Sequence, residues 1–442
     1  MEKAPGIQLD DVWKNMGFQE RWAVTKSIAH YQSAWTSIRF KKLGSLYYAQ
    51  DLDQPNLDGP LAIDQHGDEI TDKVFAVGPS NGREFVDDGK ADIGFDRGPC
   101  ETRPKSDALV SDAHCLGNTL ETYLSAIGDR ERTCIKRIAR LPKSPIMLCG
   151  PGTYQTTREK KLKALQYYSS LIRYLLPTEE SISTPSLWHS DLHTGNIFVD
   201  PNNYTEVVGI IDWQATELAP LFSQLRQPYF LDHDGPTVRG LERPRRPDNF
   251  AELDPAYREE ANALYVKRSL CSAYRYLLNQ KYPRLYRALS FQETPNFGLL
   301  LVPRNMLVDG EATFLAQVVD LQKTWDELPG VLAAGGPPFP FCFSDAEKAQ
   351  IESDVEGTLR GMQTMNAVQE TLGDLFPELG AVRPERYDET KDALRQVKPQ
   401  VIDEFAKTEQ EKEAWEKAWP FDNWMRGSYH KQFRSNWRSI FV

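Results

Sequence analysis

The stretch Leu187-Trp188-His189-Ser190-Asp191-Leu192-His193-Thr194-Gly195-Asn196-Ile197-Phe198-Val199-Asp200 decides how this chain reads. Asp191 is followed five residues on by Asn196, then by a short hairpin. Asp212 comes next, at the end of the apolar run Val207-Val208-Gly209-Ile210-Ile211. This order suits phosphoryl transfer from a magnesium nucleotide. The transferring group passes through a loose transition state, so a protein contributes mainly positioning and charge neutralisation. Asp191 would orient an attacking hydroxyl and take its proton. Asn196 and Asp212 would hold Mg²⁺, which demands hard oxygen donors and takes only one or two protein carboxylates.

A His-x-Asp pair alone would be weak evidence. The spacing of Asp191, Asn196 and Asp212 around two apolar strand segments is far more restrictive. A rival reading is a metallohydrolase in which His189, Asp191 and His193 alternate along a strand and face one metal. It leaves Asn196 and Asp212 unexplained, and the other histidines (His30, His66, His114, His233, His430) are isolated in the sequence.

Around this segment the chain reads as mainly helical. Residues 9–40 carry Leu9, Val12, Trp13, Met16, Trp22, Val24, Ile28, Tyr31, Trp35 and Ile38 at helical spacing. Phe40 to Tyr48 reads as a short strand or turn broken at Gly44. The Gly-, Pro- and Asp-rich residues 51–115 read as a long decorated loop or insertion, with Val74-Phe75-Ala76-Val77 extended. Residues 119–139 are helical. The next helix opens at Thr156 with Glu159 as a capping box, runs to Pro177, and is expected to support the catalytic strands. Further helices are expected near 255–280 and 311–328, after Ser344 with Glu347, and over 384–417 with an interruption at Pro399. No alternating strand-helix pattern supports a doubly wound nucleotide fold.

Composition narrows the class. The 442 residues are 40% hydrophobic and 26% charged, ordinary for a soluble globular protein. No run reaches the ~20 apolar residues of a membrane span. The net charge of -11 argues against a generic nucleic-acid partner and leans toward a neutral or cationic small-molecule acceptor. Arg239, Arg243, Arg245 and Arg246 read as a solvated loop. The six cysteines (Cys100, Cys115, Cys134, Cys149, Cys271, Cys342) form no CxxC pair, which suits a reducing, intracellular compartment.

At His189-Ser190-Asp191-Leu192-His193-Thr194-Gly195-Asn196 the chain resembles the aminoglycoside phosphotransferase family, relatives of protein kinases that include choline and fructosamine kinases. That family's catalytic loop often reads H-x-D-L-H-x-G-N, and an aromatic residue commonly follows its magnesium aspartate, as Trp213 follows Asp212 here. Gly44-Ser45-Leu46-Tyr47, Asp96-Arg97-Gly98-Pro99 and the end near Pro338 to Phe341 resemble a fungal branch that includes altered-inheritance-of-mitochondria proteins.

The resemblance implies an α+β, protein-kinase-like fold: mainly the helical C-terminal lobe over 9–425 with a small catalytic β-hairpin. It implies Asp191 as base, Asn196 and Asp212 as metal ligands, and ATP with Mg²⁺ as cofactors. His189 would brace the loop, and His193 would line the acceptor pocket or pack beneath it. Residues 1–8 resemble the inter-lobe linker, with Met1 and Glu2 beside nucleotide, and 426–442 would be a tail.

The N-terminal nucleotide lobe, with its glycine-rich hairpin and strand lysine, is expected to be absent, which would weaken ATP binding and impair transfer. A clipped gene product, a pseudokinase or scaffold, and a lobe from a partner chain are the open accounts. The sequence as written implies a cytoplasmic location, and the resemblance a mitochondrial one if a presequence precedes it.

Overall fold

Lys14-Asn15-Met16-Gly17 splits the first helical stretch in two, because Glu20 folds back to accept the Gly17 N–H at 2.7 Å. The computed structural model describes residues 3–52, 59–82, 90, 119–214, 216–376, 384–419 and 421. Met1, Glu2, Cys100 to Cys115 and the expected tail lie outside them.

In chain order the strands are β1 (Ile7–Gln8), β2 (Arg39–Phe40), β3 (Ser45–Tyr48), β4 (Ala62–Ile63) and β5 (Glu69–Ile70). Then come β6 (Phe75–Gly78), β7 (Pro185–Leu187), β8 (Ile197–Asp200), β9 (Asn203–Ile210) and β10 (Leu218–Pro220). The helices are α1 (Leu9–Trp13), α2 (Phe18–Ser37), α3 (Leu120–Arg137), α4 (Arg158–Leu175), α5 (Glu180–Ser183), α6 (Leu221–Gln224) and α7 (Pro255–Lys281). They continue with α8 (Pro283–Phe291), α9 (Pro295–Leu301), α10 (Glu311–Leu321), α11 (Pro329–Ala333), α12 (Asp345–Leu372), α13 (Tyr387–Phe405) and α14 (Glu409–Ala418).

The expectation of one hairpin among helices needs correction. Among the described residues the strands form four small antiparallel sheets, ordered β1-β8-β9, β10-β7, β2-β4-β5 and β3-β6. Part of the region read as a loop supplies β4, β5 and β6. These strands are two to four residues long, too short to show an alternating period. Gly44 carries φ +140° where the chain bridges to Leu218, and a β-carbon there would lie 2.2 Å from the Gly78 carbonyl oxygen.

Contacts group the chain into two compact units. The first holds Met1–Asp87, Phe95–Ala126 and Leu175–Phe297; the second holds Asp88–Gly94, Ile127–Tyr174 and Gly298–Val442. All four sheets belong to the first unit. Its core joins Leu9, Met16, Val24 and Ile28 to Leu192, Ile197 and Val199, so the apolar faces of α1 and α2 cover the β8–β9 hairpin. Tyr31 adds a bond from its hydroxyl to the Val207 carbonyl at 3.3 Å.

In the second unit, α12, α13 and α14 enclose Met365, Val368, Leu394, Val401, Ile402 and Trp415. Ser344 and Glu347 cap α12 reciprocally, as the sequence predicts. Two local expectations fail. Pro399 lies inside a continuous α13, whose buried Leu394, Val397 and Val401 hold the helix through it. The chain breaks instead at Ala406. At α4 the capping hydroxyl is that of Thr157, which accepts the Lys160 N–H at 3.2 Å, while Thr156 turns its hydroxyl to Glu311.

Candidate active site

β8 and β9 alternate side chains across the hairpin, and the buried Ile197 and Val199 fix which way it faces. Ile197 pairs with Ile210. Asn196 and Ile211 therefore stand opposite one another just beyond the ladder, and the Ile211 N–H donates to the Asn196 carbonyl at 3.0 Å. Asp212 is the next residue along.

His189 closes this frame. Its Nε2–H donates to the Ile211 carbonyl at 2.8 Å, and its Nδ1 accepts the Asp191 N–H at 3.3 Å. A carbonyl can only accept and an amide N–H can only donate, so these bonds fix the tautomer. The ring is buried, and burial pushes its pKa below the usual histidine value despite the partly opposing bond to Ile211. His189 is thus a neutral clamp between the loop and the strand end.

Asn196 is also buried. Its Nδ2 donates to the Asp191 carbonyl at 2.9 Å, which leaves Oδ1 as the acceptor end of the amide. His193 starts a short 3₁₀ turn over Thr194–Asn196, and its Nδ1 accepts the Gly195 N–H at 3.0 Å. A β-carbon at Gly195 would press on that ring at 3.0 Å. The other face of His193 stands 3.7 Å from the Asp191 carboxylate, and both side chains are about half exposed. Asp191 is therefore open to an incoming group.

Asp212 is exposed and carries φ +65°, the one positive value outside glycine among the described residues. Such backbone strain concentrates at functional positions. After it, the Trp213 Nε1–H donates to the Ile210 carbonyl at 3.2 Å, and its ring meets His189 edge-on at 4.7 Å.

Two residues that sequence reasoning passed over hold the loop from outside. Gln8 donates its side-chain amide to the Gly195 carbonyl at 3.2 Å, and Thr194 donates its hydroxyl to Asp10 at 2.6 Å. Met1 and Glu2, expected beside nucleotide, lie outside the described residues.

The donor set fits magnesium. The Asn196 amide oxygen and the Asp212 carboxylate are hard oxygen donors, and so sparse a protein set suits a metal whose remaining ligands are water and phosphate. The metallohydrolase arrangement does not form, since both ring nitrogens of His189 are committed to the backbone. No group of three or more His, Cys, Asp or Glu is arranged to hold a metal ion among the described residues.

Residues 151–223 match the phosphotransferase enzyme family. The matched segment contains Asp191, Asn196 and Asp212. The relatives include a subtelomeric hrmA-associated cluster protein of Aspergillus fumigatus, 24% identical across 95% of this chain and 81% of the relative. They also include altered inheritance of mitochondria protein 9, mitochondrial, of Lachancea thermotolerans, 22% identical across 75% of this chain and 52% of the relative. The Saccharomyces cerevisiae protein of that name is 23% identical over the same shares. The aligned part is about half the length of these yeast relatives. No solved structure matches the chain. No helix among the described residues is long and apolar enough to cross a membrane.

Proposed function

We propose that this site transfers the γ-phosphoryl group of magnesium-bound ATP to a hydroxyl acceptor. The observation that carries the reading is the hydrogen-bonded frame joining Asp191, His189, Ile211 and Asn196, which ends at Asp212. The match to a phosphotransferase family over the same residues supports it.

Asp191 would accept the hydroxyl proton as the oxygen attacks, and His189 would keep its backbone fixed while it does so. Asn196 Oδ1 and Asp212 would hold the magnesium, whose charge offsets that of the phosphates as the bond to the leaving oxygen loosens. His193 borders the acceptor side, where a half-exposed imidazole beside Asp191 can contact the incoming hydroxyl.

The test follows release of labelled γ-phosphate from MgATP, with water as the acceptor, in the wild type and in Asp191→Asn. Loss of a positioned base is expected to slow release about 10²- to 10⁴-fold. Equal rates in the two proteins would sink the assignment of Asp191. Nucleotide binding without release from the wild type would assign a non-catalytic, scaffold role instead.

A further inference from the structure

Asp212 has to be held in a backbone conformation that an L-residue adopts only at a cost in conformational energy. Its preceding neighbour is pinned on both backbone groups, by Asn196 and by His189. Its following neighbour, Trp213, is held by one hydrogen bond and by two rings. One ring is His189; the other is Trp35, which comes from α2, far from the catalytic segment in sequence. The Trp35 and Trp213 centroids are 4.9 Å apart with the rings at 83°, an edge-on contact. Trp35 also lies 6.3 Å from His189 and 6.4 Å from Trp188.

We propose that Trp35 is a positioning residue for Asp212. Its ring, seated edge-on against Trp213, keeps the Asp212 backbone left-handed and so keeps the carboxylate turned to the metal nucleotide. The helix that carries Trp35 is itself fixed. Gln32, one turn earlier and buried, accepts the hydroxyl of the buried Tyr274 of α7 at 2.7 Å. Arg284 of α8 donates to the Thr36 carbonyl just after it. Trp35 therefore presents a rigid wall to Trp213. An aliphatic side chain in its place would fill space without the edge-on contact.

This inference rests on the phosphotransfer reading, and its test separates the two. Mn²⁺ with ATP is titrated against the chain while water-proton relaxation is followed, which detects the slow-tumbling ternary complex and needs no turnover. The wild type is expected to enhance relaxation saturably. Trp35→Leu and Trp35→Met should each raise the Kd for the manganese nucleotide about three- to tenfold, the worth of an aromatic pair. Trp35→Phe keeps a ring edge and should stay within about twofold. A merely structural role would not sort the variants by aromaticity. Folded Leu or Met variants that bind like the wild type would overturn the proposal alone. So would a Phe variant weakened as much as the aliphatic ones. If neither aliphatic variant folds, Trp35→Phe decides alone, and weakening beyond about threefold overturns the proposal. No enhancement with the wild type would overturn the phosphotransfer reading, and this inference with it.

Discussion

His189 gives both ring nitrogens to the backbone, one to each side of the site. Replacing it with Gln is expected to leave buried polar groups imperfectly paired and to cost about 1–3 kcal/mol, read from urea unfolding. Its ionisation adds a pH signature. The unfolded chain protonates near the ordinary histidine value of 6.5, whereas the folded chain resists protonation because the ring is buried. The unfolded state then binds more protons between the two values, so stability rises with pH there. This contribution is fully present above about 6.5 and is lost as pH falls through the lower folded value. Unfolding curves at pH 7.5 and 5.5 should converge in His189→Gln relative to the wild type; identical pH dependence in both would contradict this. At this scale the sequence names three candidate residues, and the structure brings them to one end of the β8–β9 hairpin. Asp191, Asn196 and Asp212 follow from what metal-assisted phosphoryl transfer demands. Gln8, Asp10 and Trp35 do not, because a polar pair or a ring contact formed across distant parts of the chain leaves no local period.

Among elements, long helices with chemical punctuation were readable, and two-residue strands were not. Ser344 and Glu347 announce α12. The Ser344 N–H, then Lys163, hold the Glu347 carboxyl down at about 2. Ser344→Ala is expected to destabilise the chain by about 1 kcal/mol. The contribution of the Glu347 charge is present above its ordinary value of 4.5 and is lost as pH falls toward about 2, so acid unfolding should report it. Pro399 was misread as an interruption, since burial against α12 outweighs a local cost of about 3 kcal/mol. Relieving that cost, Pro399→Ala should raise the melting temperature; a lower one would show that the ring packs better than its helix cost. At α4, adjacent threonines made the cap ambiguous, and the tertiary partner Glu311 decided which hydroxyl was free to cap.

For the whole molecule, the division into two units had no signature in composition, because each unit is assembled from three separate stretches of the chain and not divided by a single linker. Nor was the polar interior of the second unit foreseen. Lys161 is fully buried and donates to the Met306 and Val308 carbonyls at 2.9 and 3.1 Å and to Glu311 at 2.8 Å. Glu131 accepts from Lys90 at 2.9 Å, Arg130 at 3.0 Å and the Leu307 N–H at 2.8 Å. In sequence these charges look like solvated helix faces. Lys161→Met should cost about 3–5 kcal/mol by leaving Glu311 buried without its cation, measured by chemical denaturation. In the proposed reaction Asp191 and Asp212 divide the labour, one serving the acceptor and the other the metal. Affinity for ATP, measured with Mg²⁺ and with EDTA in Asp191→Asn and Asp212→Asn, tests this most directly. Asp191→Asn is expected to bind MgATP within about threefold of the wild type, while Asp212→Asn should lose about tenfold or more and no longer respond to EDTA. Equal affinities in both variants and the wild type, with or without Mg²⁺, would contradict it.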